Sequence, residues 1–192
     1  MNLKKLTSEH TDIPLLNELY IEAFPPNERL LSVEEIFDLT DKVPIDILGI
    51  YPDETPERFA GFFMTFVHEK FVYLMFFATS AEMRSTGIGS KAIKALVEFY
   101  SDKPLIFSYE SVFEKSDNSA QRKRRRAFYL RNGFHETGWF VRLNNTEFII
   151  ASSEKNLDKS LKEMTEELLN NPFMPSTKLE LYRRDGDLIG NV

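Results

Sequence analysis

Arg84-Ser85-Thr86-Gly87-Ile88-Gly89-Ser90-Lys91 is the stretch on which the reading of this chain turns. It follows Phe71-Val72-Tyr73-Leu74-Met75-Phe76-Phe77-Ala78, an almost unbroken apolar run. Such a run predicts a strand buried on both faces, as at the centre of a sheet. Beyond the glycines, Gly87 to Tyr100 carries Ile88, Ala92, Ala95, Leu96 and Phe99 at helical spacing. Strand, glycine turn and helix start together suit a phosphate ester. First-turn amides lack intrahelical acceptors, and the helix dipole places partial positive charge beside them. Gly87 and Gly89 let the backbone approach a ligand closely, and Arg84 offers a charge-assisted bond. Two other phosphate loops fail on spacing. Lys91 follows Ser90 rather than a glycine, so this is not a Walker loop. A dinucleotide fingerprint has three glycines, and here there are two. From these residues alone, an ordinary glycine turn without a ligand stays open.

Working outward, Asp12 to Phe24 shows helical spacing, with Thr11 or Asp12 as cap and Pro25-Pro26 as stop. Ser32 and Glu35 fit a capping box for a second short helix. Ile45 to Tyr51 reads as a strand. Arg58 to Val67 and Phe71 to Ala78 read as an antiparallel pair. Pro104 to Tyr109 is another strand, and Ser119 to Asn132 a helix stopped by Gly133. Thr137 to Leu143 and Glu147 to Ala151 form a hairpin about Asn144-Asn145. Asn156 to Asn170 reads as a last helix, with a tail from Pro172. Strands interleaved with helices, antiparallel early and late, give a mixed α/β or α+β sheet.

Composition narrows the chemistry. The 192 residues are 42% hydrophobic and 28% charged, enough for a core and too apolar for a disordered chain. Seventeen Phe predict a Phe-rich interior. There is no cysteine, which removes thiolate nucleophiles, disulfides and Cys-ligated metals. His10, His68 and His135 are scattered, without metal-ligand spacing, so no metal is expected. Lysine plus arginine number 24 against 30 acids. That balance argues against a dedicated nucleic-acid binder and permits a cationic partner. Neither a signal peptide nor a membrane span is evident, so a cytoplasmic protein without a membrane partner is expected.

Arg84-x-x-Gly87-x-Gly89 after a buried strand resembles the acetyl-CoA loop of the GNAT N-acetyltransferase superfamily. Further on, Phe128-Tyr129-Leu130-Arg131-Asn132-Gly133-Phe134 resembles its second signature, Phe-Tyr-x-x-x-Gly-Phe. The order and separation of the two match. The resemblance implies a mixed, mostly antiparallel sheet, splayed at its centre and flanked by helices. Residues 1–152 would form the acetyltransferase domain. Residues 153–192 would be a helix and tail packed on that domain or on a partner. Acetyl-CoA would be the co-substrate. Backbone atoms of Phe76, Phe77 and Ala78 would hold the pantetheine arm, an amide near Phe77 polarising the thioester. The pyrophosphate would lie on Thr86, Gly87, Ile88, Gly89 and Ser90, with Arg84 beside it. Tyr129 matches the family tyrosine aimed at the sulfur, where a phenol can protonate the departing thiolate. Glu110 would close the splayed strand as the base for the amine, and Glu28 would line the acceptor side. Arg122 stands where many members carry an Asn that contacts CoA, so that contact is not transferred.

Residues 121 to 131 hold six bases and no acid. Consecutive helical residues spread around the cylinder, so most are expected to pair with acids elsewhere. The expected function is transfer of acetyl from acetyl-CoA to a small-molecule or peptide amine in a ternary complex. The alternatives are an inactive acyl-CoA-binding module, or a nucleic-acid-associated protein using Arg122 to Arg126. A homodimer is compatible with the family.

Overall fold

The computed structural model describes residues 1–26, 28–29, 31–84, 86–114, 116–143, 146–155, 157, 179–183 and 188–191. The chain divides into two compact units, Met1–Lys103 and Pro104–Val192. Together they form a mixed α/β fold whose strand pairings within each unit are antiparallel.

The first unit contains β1 (Asn2–Lys5), α1 (Ile13–Ala23), α2 (Val33–Leu39), β2 (Ile45–Tyr51), β3 (Gly61–Val67), β4 (Val72–Thr79) and α3 (Ile88–Phe99). Its strands run in the order β1-β2-β3-β4. β1 has no apolar alternation; it forms because Asn2 to Lys5 pair with Tyr51 to Leu48. The capping box at Ser32 and Glu35 is present. Asp12 is the N-cap of α1 but makes no side-chain cap bond. Its carboxylate instead accepts from the Tyr51 hydroxyl at 2.5 Å. α3 buries Ile88, Ala92, Ile93 and Leu96. Phe99, expected on that face, is 43% exposed. Tyr100 takes the inward place, its hydroxyl bonded to Asp46 at 2.7 Å and Thr65 at 2.9 Å.

β4 departs from the burial expected of its apolar run. Tyr73, Met75, Phe76 and Phe77 are only half-buried. Met64 pairs with Phe76 and Thr65 with Leu74, so Met75 is the extra residue of a β-bulge. The bulge resets which face each later side chain occupies.

The second unit contains β5 (Leu105–Glu110), α4 (Ser119–Arg131), β6 (His135–Leu143), β7 (Thr146–Ser152), β8 (Leu179–Arg183) and β9 (Leu188–Asn191), with strand order β5-β7-β6-β8-β9. Gly133, at φ +89°, follows the end of α4. The expected helix at Asn156 to Asn170, Leu157 apart, and the turn at Asn144-Asn145 lie outside the described residues. The expected division at residue 152 does not mark the end of the sheet. Trp139 to Leu143 of β6 pair with Arg183 to Leu179 of β8, and β9 pairs with β8 in turn. Part of the supposed tail is therefore sheet. No helix among the described residues is long and apolar enough to cross a membrane.

Candidate functional site

The loop before α3 is built as a presenter of amides. Gly87 is the N-cap in left-handed conformation, φ +84°. A Cβ there would touch nothing, but the backbone angle strains any other L residue. Thr86 Oγ1 donates to Met83 O at 2.7 Å and steadies the turn. The Ser90 and Lys91 amides both donate to Gly87 O. Ser90, expected among the anion donors, thus has its N–H engaged inside the chain. The N–H groups of Thr86, Gly87, Ile88 and Gly89 have no acceptor among the described residues. The first turn of α3 carries no acid. Arg84 is held on Glu22 of α1 at 2.9 Å, both side chains about half exposed. Such a surface pair contributes at most about 1 kcal/mol and gives way readily to a phosphate.

The three β4 residues assigned to the pantetheine arm do not face alike. A Cβ on Gly61 of β3 would lie 2.3 Å from Ala78 O, so this carbonyl faces β3 and only glycine fits opposite it. Peptide groups alternate sides along a strand. Those of Phe76 and Ala78 therefore turn toward β3, and those of Phe77 toward the opposite edge. The Phe63 and Phe77 rings stack at 4.5 Å, as suits a cross-strand pair. Of the three assigned residues, Phe77 alone turns its peptide groups away from β3.

In the second unit, Tyr129 is 9% exposed. Its ring is clamped by Phe107 at 4.2 Å, Tyr109 at 5.6 Å and Phe134 at 6.0 Å. Burial pushes its phenol up to about 12, with the Arg125 charge opposing. The group therefore stays protonated at neutral pH, as an acid must. No described residue hydrogen-bonds its hydroxyl. Tyr109, which stacks on Tyr129, donates to Glu136 Oε1 at 2.6 Å, and Arg126 grips both Glu136 oxygens at 2.6 and 2.8 Å. The Arg126 bonds hold the Glu136 carboxyl below the usual range. Sequence reasoning missed this support because its members are far apart along the chain.

Glu110, expected as the base for the amine, sits in an ionic cluster. Its side chain is 10% exposed, and both oxygens are occupied. Arg122 Nη2 donates to Oε1 at 2.8 Å and Arg125 Nη1 to Oε2 at 3.1 Å. Asn118 Nδ2 approaches both oxygens at 3.3 Å. Arg122 Nε also donates to Asn118 Oδ1 at 2.7 Å, and Nη1 to Ser111 O at 3.1 Å. This is a buried ionic hub tying β5 to α4. It also explains Arg122, which turns inward to Glu110. Of the basic run, Arg122, Arg125 and Arg126 pair with acids of their own unit, while Lys123 and Arg124 are exposed.

Between α1 and α2, Glu28 follows the Pro25 turn, its N–H on Pro25 O at 2.9 Å. Beside this segment the Tyr20 ring meets Phe76 at 5.1 Å, and Phe24 meets Phe76 at 4.9 Å. Tyr20 donates to Leu31 O at 3.1 Å. Among the described residues no cluster of His, Asp and Glu could hold a metal ion.

Fold and loop define a class, and comparison with known proteins agrees. The model of the GNAT acetyltransferase family matches residues 13–134, and the chain belongs to that family. No curated protein matches it. Among solved structures, a protein assigned to the GNAT family from Bacteroides thetaiotaomicron is similar at TM-score 0.74 and 23% identity, covering 91% of this chain and 99% of that one. An aminoglycoside 6'-N-acetyltransferase complexed with coenzyme A is similar at TM-score 0.61 and 12% identity, covering 79% and 96%. The ribosomal-protein-S18-alanine N-acetyltransferase from Escherichia coli is similar at TM-score 0.56 and 18% identity, covering 79% and 91%. At these identities the likeness is one of fold.

Proposed function

We propose that this chain transfers the acetyl group of acetyl-CoA to an amine. The observation that carries the proposal is the left-handed Gly87, which presents the amides of Thr86 to Gly89 at the start of α3 in a member of this family. A diphosphate is the natural ligand for four such donors beside a dipole. Family resemblance supplies the rest. The pantetheine arm runs along the β4 edge to which Phe77 turns. Arg84 leaves Glu22 for the phosphate. In the transfer, the amine nitrogen attacks the thioester carbonyl. A C–N bond forms, the C–S bond breaks, Tyr129 supplies the proton to the departing sulfur, and the proton released by the attacking nitrogen passes to solvent water, from which the phenol is restored. No covalent enzyme intermediate is invoked. The proposal carries with it a cytoplasmic location.

Gly89→Glu tests the loop. It sets bulk and negative charge on the first turn of α3, and calorimetry should show acetyl-CoA affinity falling at least a hundredfold. Unchanged affinity would remove the loop from the site. Thiol release over a panel of amines separates transfer from simple carriage. Tight acetyl-CoA binding without release from any amine would identify a binding module instead.

A further inference from the structure

Arg29 lies in the connection between α1 and α2, half-buried. Its Nε is buried and has no hydrogen-bond partner. No acid among the described residues pairs with it. Among the described residues Arg183 Nε is likewise buried without a hydrogen-bond partner, but its guanidinium lies over the Trp139 ring at 4.6 Å, and the other inward-turned arginines rest on acids. Arg122, Arg125 and Arg126 rest on Glu110 and Glu136, and Arg142 on Glu114 and Glu147. Even the more exposed Arg58 and Arg84 have glutamate partners. An unpaired guanidinium N–H withdrawn from water is costly to keep. With 30 acids in the sequence, a carboxylate for it was within evolutionary reach. Its surroundings also count. The charge of Arg29 is close enough to Tyr20 to act on its phenol, partly offsetting the upward push of burial. The Tyr20 and Phe24 rings both pack on Phe76, the neighbour of Phe77. The Arg29 backbone N–H donates to Pro25 O, and Leu31, two residues on, accepts from the Tyr20 hydroxyl at 3.1 Å, so the segment that carries Arg29 lies along an aromatic wall that reaches the β4 strand assigned to acetyl-CoA.

We infer that Arg29 anchors a carboxylate of the acceptor, so that the acceptor is a small amino acid rather than a polycationic amine. The inference rests on the acetyltransferase reading above. The planar guanidinium matches a carboxylate in a fork that pairs two N–H donors with two oxygens. The aromatic wall would take the acceptor's apolar part. An aminoglycoside or polyamine would instead bring positive charge against an uncompensated cation. The acetylated product keeps its carboxylate, so the anchor can be tested without turnover.

The probes are N-acetyl amino acids of varied side chains, each compared with its own carboxamide, titrated into the full chain saturated with CoA. At least one acid should bind tenfold or more tighter than its carboxamide. Arg29→Gln should reduce that acid to the level of the carboxamide, a loss of about tenfold to a hundredfold. CoA affinity of Arg29→Gln should stay within twofold, showing an intact fold. Equal binding of acids and carboxamides, a preference that survives Arg29→Gln, or no binding by any acid would overturn the anchor. Thiol release, measured in parallel, reports the other reading. Arg29-dependent acid binding without thiol release from any amine would retain the anchor and refute acetyl transfer.

Discussion

Tyr129 shows what burial does to one residue. The phenol is withdrawn from water and rises to about 12, so its proton is retained at neutral pH. The ring cannot swing aside, because Phe107, Tyr109 and Phe134 close on it. Tyr129→Phe keeps the ring and removes only the hydroxyl, which has no described partner to orphan. Turnover should therefore fall about a hundredfold or more, while acetyl-CoA affinity stays within twofold. Normal kcat in this variant would take Tyr129 out of the acid role. The tyrosine was legible in the sequence because a short motif surrounds it. The ionic partners of Glu110 were not legible, for a physical reason. A carboxylate at a strand end looks the same whether it faces substrate or two arginines, and only the fold brings Arg122 and Arg125 back onto it. Arg29 carried no motif at all; its meaning comes from the partners it lacks.

At the scale of elements, periodicity was sufficient where one face of a helix or strand decides burial. The helices over Asp12 to Phe24, Gly87 to Tyr100 and Ser119 to Asn132 appear as α1, α3 and α4 with ends shifted by a residue or so. β1 and β8 were not legible. Each gains stability from a partner strand rather than from its own pattern. The bulge at Met75 was equally invisible, since it is a property of two strands in register. Joints between elements yield a sharp test. Glu110→Ala would leave Arg122, 7% exposed, as a buried cation with its main partner gone. Losing one side of such a pair costs about 3–5 kcal/mol. Replacing both Glu110 and Arg122 by Leu removes the two charges together and should recover much of that loss. Urea denaturation of the three proteins measures it. Full stability of Glu110→Ala, combined with loss of turnover, would return Glu110 to the chemistry.

Across the whole molecule, one bias in the tyrosines governs the response to pH. Of seven tyrosines in the sequence, Tyr20, Tyr51, Tyr100, Tyr109, Tyr129 and Tyr182 all have phenols pushed above their ordinary value of 10, burial being the largest cause in each. Hydrogen bonds to carboxylates add to the push at Tyr51 (Asp12), Tyr100 (Asp46), Tyr109 (Glu136) and Tyr182 (Glu147). The neutral phenol is the form the fold keeps, whereas the unfolded chain ionises near 10. Below pH 10 both states hold these protons and the contribution to stability is complete. Above it the unfolded state sheds protons first, so stability falls as pH rises toward the folded values, which for Tyr20 and Tyr129 are about 12. For Tyr129 alone, fully buried, the loss is on the order of 2–3 kcal/mol across that window. Urea midpoints should be level between pH 7 and 9 and drop steeply from pH 10 upward. Phenolate absorbance should appear together with unfolding rather than ahead of it, because the native protein cannot ionise these rings cheaply. Tyr129→Phe should flatten the slope by its own share. Midpoints that hold constant to pH 12, or more than one phenolate forming in the folded protein at pH 10, would mean that these rings see water.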